Sequence, residues 1–291
     1  MIAVVDCNYI LPGELLLELL RGTKLHVFVD DYQAASGVYR YPATHDLEPI
    51  FKEELATDYL WITWDLAQWK LLSFIFLYRD AIIGRDITSE NVVTISLNLR
   101  NTCDIAGILS KIREQIVKSA NEFGVRDTDV VLPALKPGHF IHGPRTVVHV
   151  IEKRVDKDGF NSSLVTAIID KELDRLCRTG GKCTFDIGVV HNTYWLESFN
   201  DTIKSKISDS DCNVEVRYLR NCYSVEYPAV IVLLDVSLER DTACLYLMLS
   251  RARAYCSVIF YTTEIEALSA CQPVAELLTD IENFVTILRY D

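Results

Sequence analysis

What this sequence lacks narrows the field before any motif is read. No uninterrupted apolar run reaches the roughly 18–20 residues of a membrane-crossing helix, and the longest candidate, residues 71–78, is closed by Arg79 and Asp80. No membrane partner is expected. The amino terminus has no basic head of the kind that opens a secretory leader, and Asp6 interrupts its first apolar stretch. Positive charge is also short: 29 lysines and arginines face 41 aspartates and glutamates, a net charge of −12. An autonomous nucleic-acid binder usually shows a basic surface, so the balance disfavours that role while leaving room for one basic groove on an acidic protein. None of the nine cysteines falls in a C-x-x-C pair, so reduced, mostly buried thiols in an intracellular protein, cytoplasmic or nuclear, are expected rather than a zinc or disulfide framework. Internal repeats and low-complexity tracts are missing.

What is present suffices for a sizeable core. Hydrophobic residues make up 49% and charged residues 24% of 291 positions, enough for one large domain or two moderate ones. The chain opens IAVVD, an apolar run ending on Asp6, followed by the amphipathic ELLLELLRG closed at Gly22 and by LHVFVDD, a second run ending in acid. Residues 47–85 are aromatic and mixed in period, and read as helical. VVTISL over residues 92–97 precedes an amphipathic helix over residues 103–123, and LPALKPGHFIHGP leads into the strand TVVHVIE. From there helices over residues 163–177 and 196–207, and one starting near Thr242, alternate with the strands FDIGVV, VEVRYL, AVIVLLD and SVIFYT. Strands alternating with helices of ten to fifteen residues imply a parallel sheet covered on both faces, an α/β fold. The boundary between two units is placed at residues 85–92, giving units 1–89 and 90–291.

Several residues invite chemistry. Asp6 and Asp30 end apolar strands, where α/β folds hold metals and phosphates, and Gln33 lies three residues after Asp30. Glu226 stands just before AVIVLLD, and Arg251 lies in a helix just before SVIFYT with Arg253 beside it. An arginine near a strand end can reach a transferred phosphoryl group, whereas the plainer reading makes Arg251 and Arg253 a solvated pair. His139, His142 and His149 in GHFIHGPRTVVHV lack a cysteine or carboxylate at ligand spacing, so a metal site is not expected there. Trp61, Trp64 and Trp69 could stack bases, but helical spacing in an apolar segment favours core packing. Lys111, Arg113 and Lys118 read as a solvated helix face.

These stretches together resemble a family. LYLMLSRAR resembles motif VI and SVEYPAVIVL motif V of superfamily 1 helicases of the UvrD/Rep type. ISLNLRNTCDI resembles motif IV with its Asn-x-Arg, LHVFVDDYQ resembles motif III, and IAVVDCNY lies where motif II belongs. The apolar-Asp-aromatic-Gln form of motif III is similar to the helicase-like region of Schlafen proteins. The resemblance implies two RecA-like lobes, the first truncated and the second whole, with ATP between them and a single strand, of RNA or DNA, crossing their tops. It implies that Asp6 holds Mg²⁺, that Gln33 links the γ-phosphate to the nucleic-acid groove, that Arg100 and Arg251 contact the γ-phosphate, and that Glu226 holds the ribose.

The sequence departs from the family in three places. No G-x-x-x-x-G-K-[ST] supplies a phosphate cradle. Cys7 follows Asp6 where the family has a water-polarising Glu, and a thiol is a poor oxygen base. Tyr223-Ser224-Val225 replaces the small, Gly-containing turn before Glu226. The resulting expectation is a helicase-like region, missing the first half of its first lobe and catalytically degenerate, that acts as a nucleic-acid-associated or regulatory module. Weak single-strand binding, and self-association or a protein partner at an exposed sheet edge, are expected with it. A scaffold without nucleotide chemistry, and an active helicase whose P-loop half lies outside this chain, are the alternatives.

Overall fold

The computed structural model describes residues 26–29, 59–62, 97–122, 135–155, 164–178, 185–192, 213–222, 225–237, 242–264, 267–268 and 271–291. The chain divides into two units, Met1–Val93 and Thr94–Asp291. In the first unit the described elements are β1 (His26–Val29) and β2 (Tyr59–Ile62), which pair in parallel from His26 opposite Tyr59 to Val29 opposite Ile62. Strand β2 corrects the helical reading of residues 47–85 at these four positions. YLWI carries aromatic and β-branched side chains that suit a pleated surface, and pairing with β1 overrides its mixed period. Asp6, Gln33, Trp64 and Trp69 lie outside the described residues.

The second unit opens with β3 (Leu97–Asn98) and α1 (Cys103–Glu122), followed by β4 (Lys136–Pro137), which pairs with β3. A six-stranded, wholly parallel sheet follows. Its strands are β5 (Thr146–Ile151), β6 (Asp186–His191), β7 (Asn213–Tyr218), β8 (Tyr227–Asp235), β9 (Ala252–Tyr261) and β10 (Val285–Tyr290), in the spatial order β10-β5-β9-β8-β6-β7. Between them run α2 (Leu164–Arg178), α3 (Thr242–Leu249) and α4 (Gln272–Ile281). This is the parallel α/β architecture expected from the sequence. The reading that stopped at SVIFYT missed α4 and β10. The signals were there: Pro273 in the first turn of α4 suits a helix start, and Val274, Leu277, Leu278 and Ile281 form its buried stripe.

Central strands are largely apolar because both faces are covered. In β8, Ala229, Ile231 and Leu233 face one side with Ile187 and Val189 of β6 and Ile259 and Tyr261 of β9, under Val165, Ile168, Ile169 and Leu173 of α2. The alternating set Val230, Val232 and Leu234 is equally buried; α3 packs on β8 and β9, and α1 on α3, α4 and β9. Every described side chain of α3 is buried, so this helix is apolar all round, as a helix enclosed in a core must be. Each large apolar side chain so buried stabilises the fold by about 1.5–3 kcal/mol. Strand β7, at the edge, alternates between exposed and half-buried residues from Asn213 to Val216 and stays half-buried through Arg217 and Tyr218.

Two further expectations are corrected here. Arg113 is not on a solvated face: it is buried, with its guanidinium over the Tyr246 ring at 5.7 Å and its Nη1 donating to the Tyr246 hydroxyl at 3.2 Å. Lys111 and Lys118 are at the surface, paired with Glu114 and Glu276. Cys177 is disulfide-bonded, unlike the reduced thiols expected, whereas Cys103, Cys222, Cys244, Cys256 and Cys271 are free. No described helix is long and apolar enough to cross a membrane.

Candidate functional site

Three segments far apart in sequence meet at the amino ends of β8 and β9. The first follows β3. Asn98 Oδ1 accepts from the backbone N–H groups of Arg100 and Asn101, both at 3.0 Å, and its amide donates to Asn101 Oδ1 at 2.7 Å. An Asn side chain closing a turn on its own backbone is a local device that the sequence can encode. Asn101 is buried and carries the turn to the sheet: its Nδ2 donates to the carbonyls of Ser250 and Ala252. Thr102 N donates to Arg253 O at 3.1 Å, and Tyr227 N to Arg251 O at 2.9 Å. The turn bearing Arg100, the start of β8 and the start of β9 are thereby fixed to one another.

On this frame Glu226 is bridged by two arginines. Arg100 Nε lies 2.7 Å from Glu226 Oε1, and Arg253 Nε lies 2.9 Å from Glu226 Oε2. The side chains of Arg100 and Arg253 are 48% and 59% exposed and that of Glu226 is 22% exposed. Two cations and one anion leave the cluster with a surplus positive charge on an acidic protein. Arg251 behaves differently. It lies in the turn between α3 and β9, not in the helix, and is buried; its guanidinium donates to Ser250 Oγ from Nη2 at 2.9 Å. Burial pushes the neighbouring Cys222 thiol up to about 11, against the opposing charge of Arg251. Of the adjacent arginines, Arg253 is the exposed one, which overturns the reading of a solvated pair.

Just inside the cluster, Tyr227 donates from its hydroxyl to Glu215 Oε2 at 2.6 Å and accepts from Arg217 Nε at 2.8 Å. Burial and the Glu215 carboxylate raise its pKa to about 12, so it remains a donor at neutral pH. Its ring lies where a Cβ on Gly188 would be, 2.4 Å from Cδ2, so β6 needs glycine at that position.

The structure therefore brings Arg100 and Glu226 into contact and buries Arg251 against Ser250. Sequence reasoning missed Asn101 and Arg253 as parts of the site. Arg253 had a signal, as the second arginine of SRAR; Asn101 had one only through its neighbour Asn98. The three histidines are dispersed: His139 Nδ1 accepts from Ile141 N at 3.1 Å, His142 Nδ1 lies 3.2 Å from Asp104 Oδ2, and His149 is buried in β5. Among the described residues no group of three or more His, Cys, Asp or Glu side chains could hold a metal.

A doubly covered parallel sheet with an arginine–glutamate cluster at its amino edge is thus the class of protein defined by fold and site. No family model matches the sequence, and no curated protein does. Among solved structures, the chain is similar to the C-terminal domain of a possible DNA helicase from Lactobacillus plantarum WCFS1. The TM-score is 0.38 at 12% identity, covering 65% of this chain and 98% of that one. It is also similar to the DUF1998 helicase MrfA in a DNA-bound crystal structure. There the TM-score is 0.28 at 12% identity, over 94% of this chain and 44% of that one. At such values neither likeness bears on what this chain does.

Proposed function

We propose that this chain is a superfamily 1 helicase-like region, of UvrD or Schlafen type, whose second unit faces the phosphates of a nucleoside triphosphate. By itself it is catalytically silent and serves as a nucleic-acid-associated or regulatory module. The observation that carries this reading is the meeting of Arg100, Glu226 and Arg253 within 2.7–2.9 Å, since these residues come from the three segments that resemble motifs IV, V and VI. On this reading Arg100 and Arg251 serve the γ-phosphate and Glu226 the ribose, while Asp6 serves Mg²⁺ and Gln33 couples to the single strand. The missing phosphate loop and Cys7 in place of a base support silence.

A steady-state phosphate-release assay, with and without single-stranded DNA or RNA, tests the proposal, with no turnover expected. Turnover that disappears in Arg100→Ala, an exposed position whose replacement spares the core, would refute the silent reading. Single strands should bind weakly and lose affinity steeply with salt, because contacts to phosphates release counterions.

A second reading, an interaction scaffold, is favoured by one corner of the unit. Phe140 is 97% exposed, and Leu97, Leu99 and Ile141 are exposed beside it on the joined β3 and β4 segments. Sedimentation of the wild type and Phe140→Ser separates the two: association lost in the variant supports the scaffold, and a monomer in both removes it.

A further inference from the structure

We propose that Glu226 is a built-in stand-in for a phosphate, occupying an oxyanion site made by Arg100 and Arg253, and that a phosphate ligand enters by displacing it. This deepens the reading above and rests on it in taking this edge as phosphate-facing. It differs over Glu226, which there binds a ribose and here competes with the ligand.

The geometry of the two ion pairs carries the inference. Arg100 makes its closest approach to Glu226 from Nε, on Oε1, and Arg253 donates from Nε to Oε2. A guanidinium has five N–H donors in a planar fork, and among the described residues neither arginine makes another side-chain hydrogen bond. The Nη groups of both are therefore open to a ligand at the half-exposed surface. Two guanidinium forks converging on one point match an oxyanion with several oxygens better than a carboxylate held by one contact on each side, because bidentate arginine–phosphate contacts are the strong ones. Half-exposed, single-contact ion pairs are easily exchanged. The backbone around them is not loose: Asn101 and Thr102 tie the Arg100 turn to β9, and Tyr227 N ties β8 to Arg251. The cations keep their places when the carboxylate swings out.

The closing experiment measures binding of inorganic tripolyphosphate, ATP and a single-stranded oligothymidylate to the whole chain and to Glu226→Gln, by calorimetry at low salt. Glutamine keeps the size of the side chain and removes its charge. The expected result is tripolyphosphate binding about tenfold tighter in E226Q, the equivalent of the two exposed pairs it weakens, with Arg100→Ala and Arg253→Ala each reversing the gain. Tripolyphosphate binding that is unchanged or weaker in E226Q overturns the proposal, as does no binding in either protein. ATP weakened by E226Q with tripolyphosphate unchanged would uphold the ribose role and sink the stand-in. Tripolyphosphate and ATP tightened equally would uphold the stand-in and sink the ribose role. A gain for the oligonucleotide but not for the free polyphosphates would overturn it as stated, since the site would then need a nucleic-acid backbone.

Discussion

Replacing Glu172 by alanine should expose the cost of a polar network sealed inside the second unit. Glu172 projects from α2 and is 2% exposed. An ionised carboxylate only accepts hydrogen bonds; Glu172 takes one from His149 Nε2 at 3.2 Å and one from the Tyr255 hydroxyl, while Arg175 lies 3.8 Å away and stacks over Tyr255. His149 Nδ1 meets the Tyr290 hydroxyl at 2.9 Å, so the network runs from α2 through β5 and β9 to the edge strand β10. Burial is the largest single influence on Glu172 and pushes its pKa up, but the bonds from His149 and Tyr255, with the charge of Arg175, outweigh it and leave the group below its ordinary value. In the alanine variant a buried imidazole N–H and a buried phenol lose their acceptor, at about 1–3 kcal/mol each. The total falls at about 3–5 kcal/mol, the range for breaking a buried pair. For a unit of this size each kcal/mol shifts Tm by about 2–4 °C, so thermal unfolding at pH 7 should occur on the order of 10 °C lower. The pH dependence has a definite sign. A carboxyl whose folded pKa lies below its unfolded pKa stabilises fully above the unfolded value and loses that contribution as pH falls through the folded one. The gap between wild type and variant should therefore be widest near neutrality and narrow as pH falls below the ordinary carboxyl range of about 4. Equal stabilities at pH 7, or a gap that widens in acid, would refute the argument.

Two further outcomes concern the site and the thiols. Asn101→Ala should cost about 1–3 kcal/mol, because the carbonyls of Ser250 and Ala252 lose their buried donor. It should also raise hydrogen exchange in the Arg100 turn, and unchanged exchange would mean that the turn holds itself. Burial raises the Cys222 thiol to about 11 and pushes Cys256 higher still, so neither should react with a thiol reagent at pH 8 in the folded protein. Among the free cysteines of the described residues, half-buried Cys103 should react first, and rapid labelling of Cys222 would contradict its burial.

Local periodicity by itself determined the parallel α/β character of the second unit. YPAVIVLLD and TVVHVI are apolar on both faces, α2 repeats its apolar positions at helical spacing, and such patterns are written within a few residues. It also placed Glu226 directly before β8. It did not reach β2, where four residues took strand geometry from a partner 33 positions earlier, nor the inward turn of Arg113. The order of the sheet, the buried bonds of Glu172, and the clasp of Glu226 between Arg100 and Arg253 were decided by tertiary structure alone. Their partners stand tens to over a hundred residues apart, and only the register of β8 against β9, with the Asn101 tether, brings them within hydrogen-bonding distance. A sequence pattern carries the free energy of burial along one element. Which charges then meet depends on how the elements are stacked, and no local period encodes that.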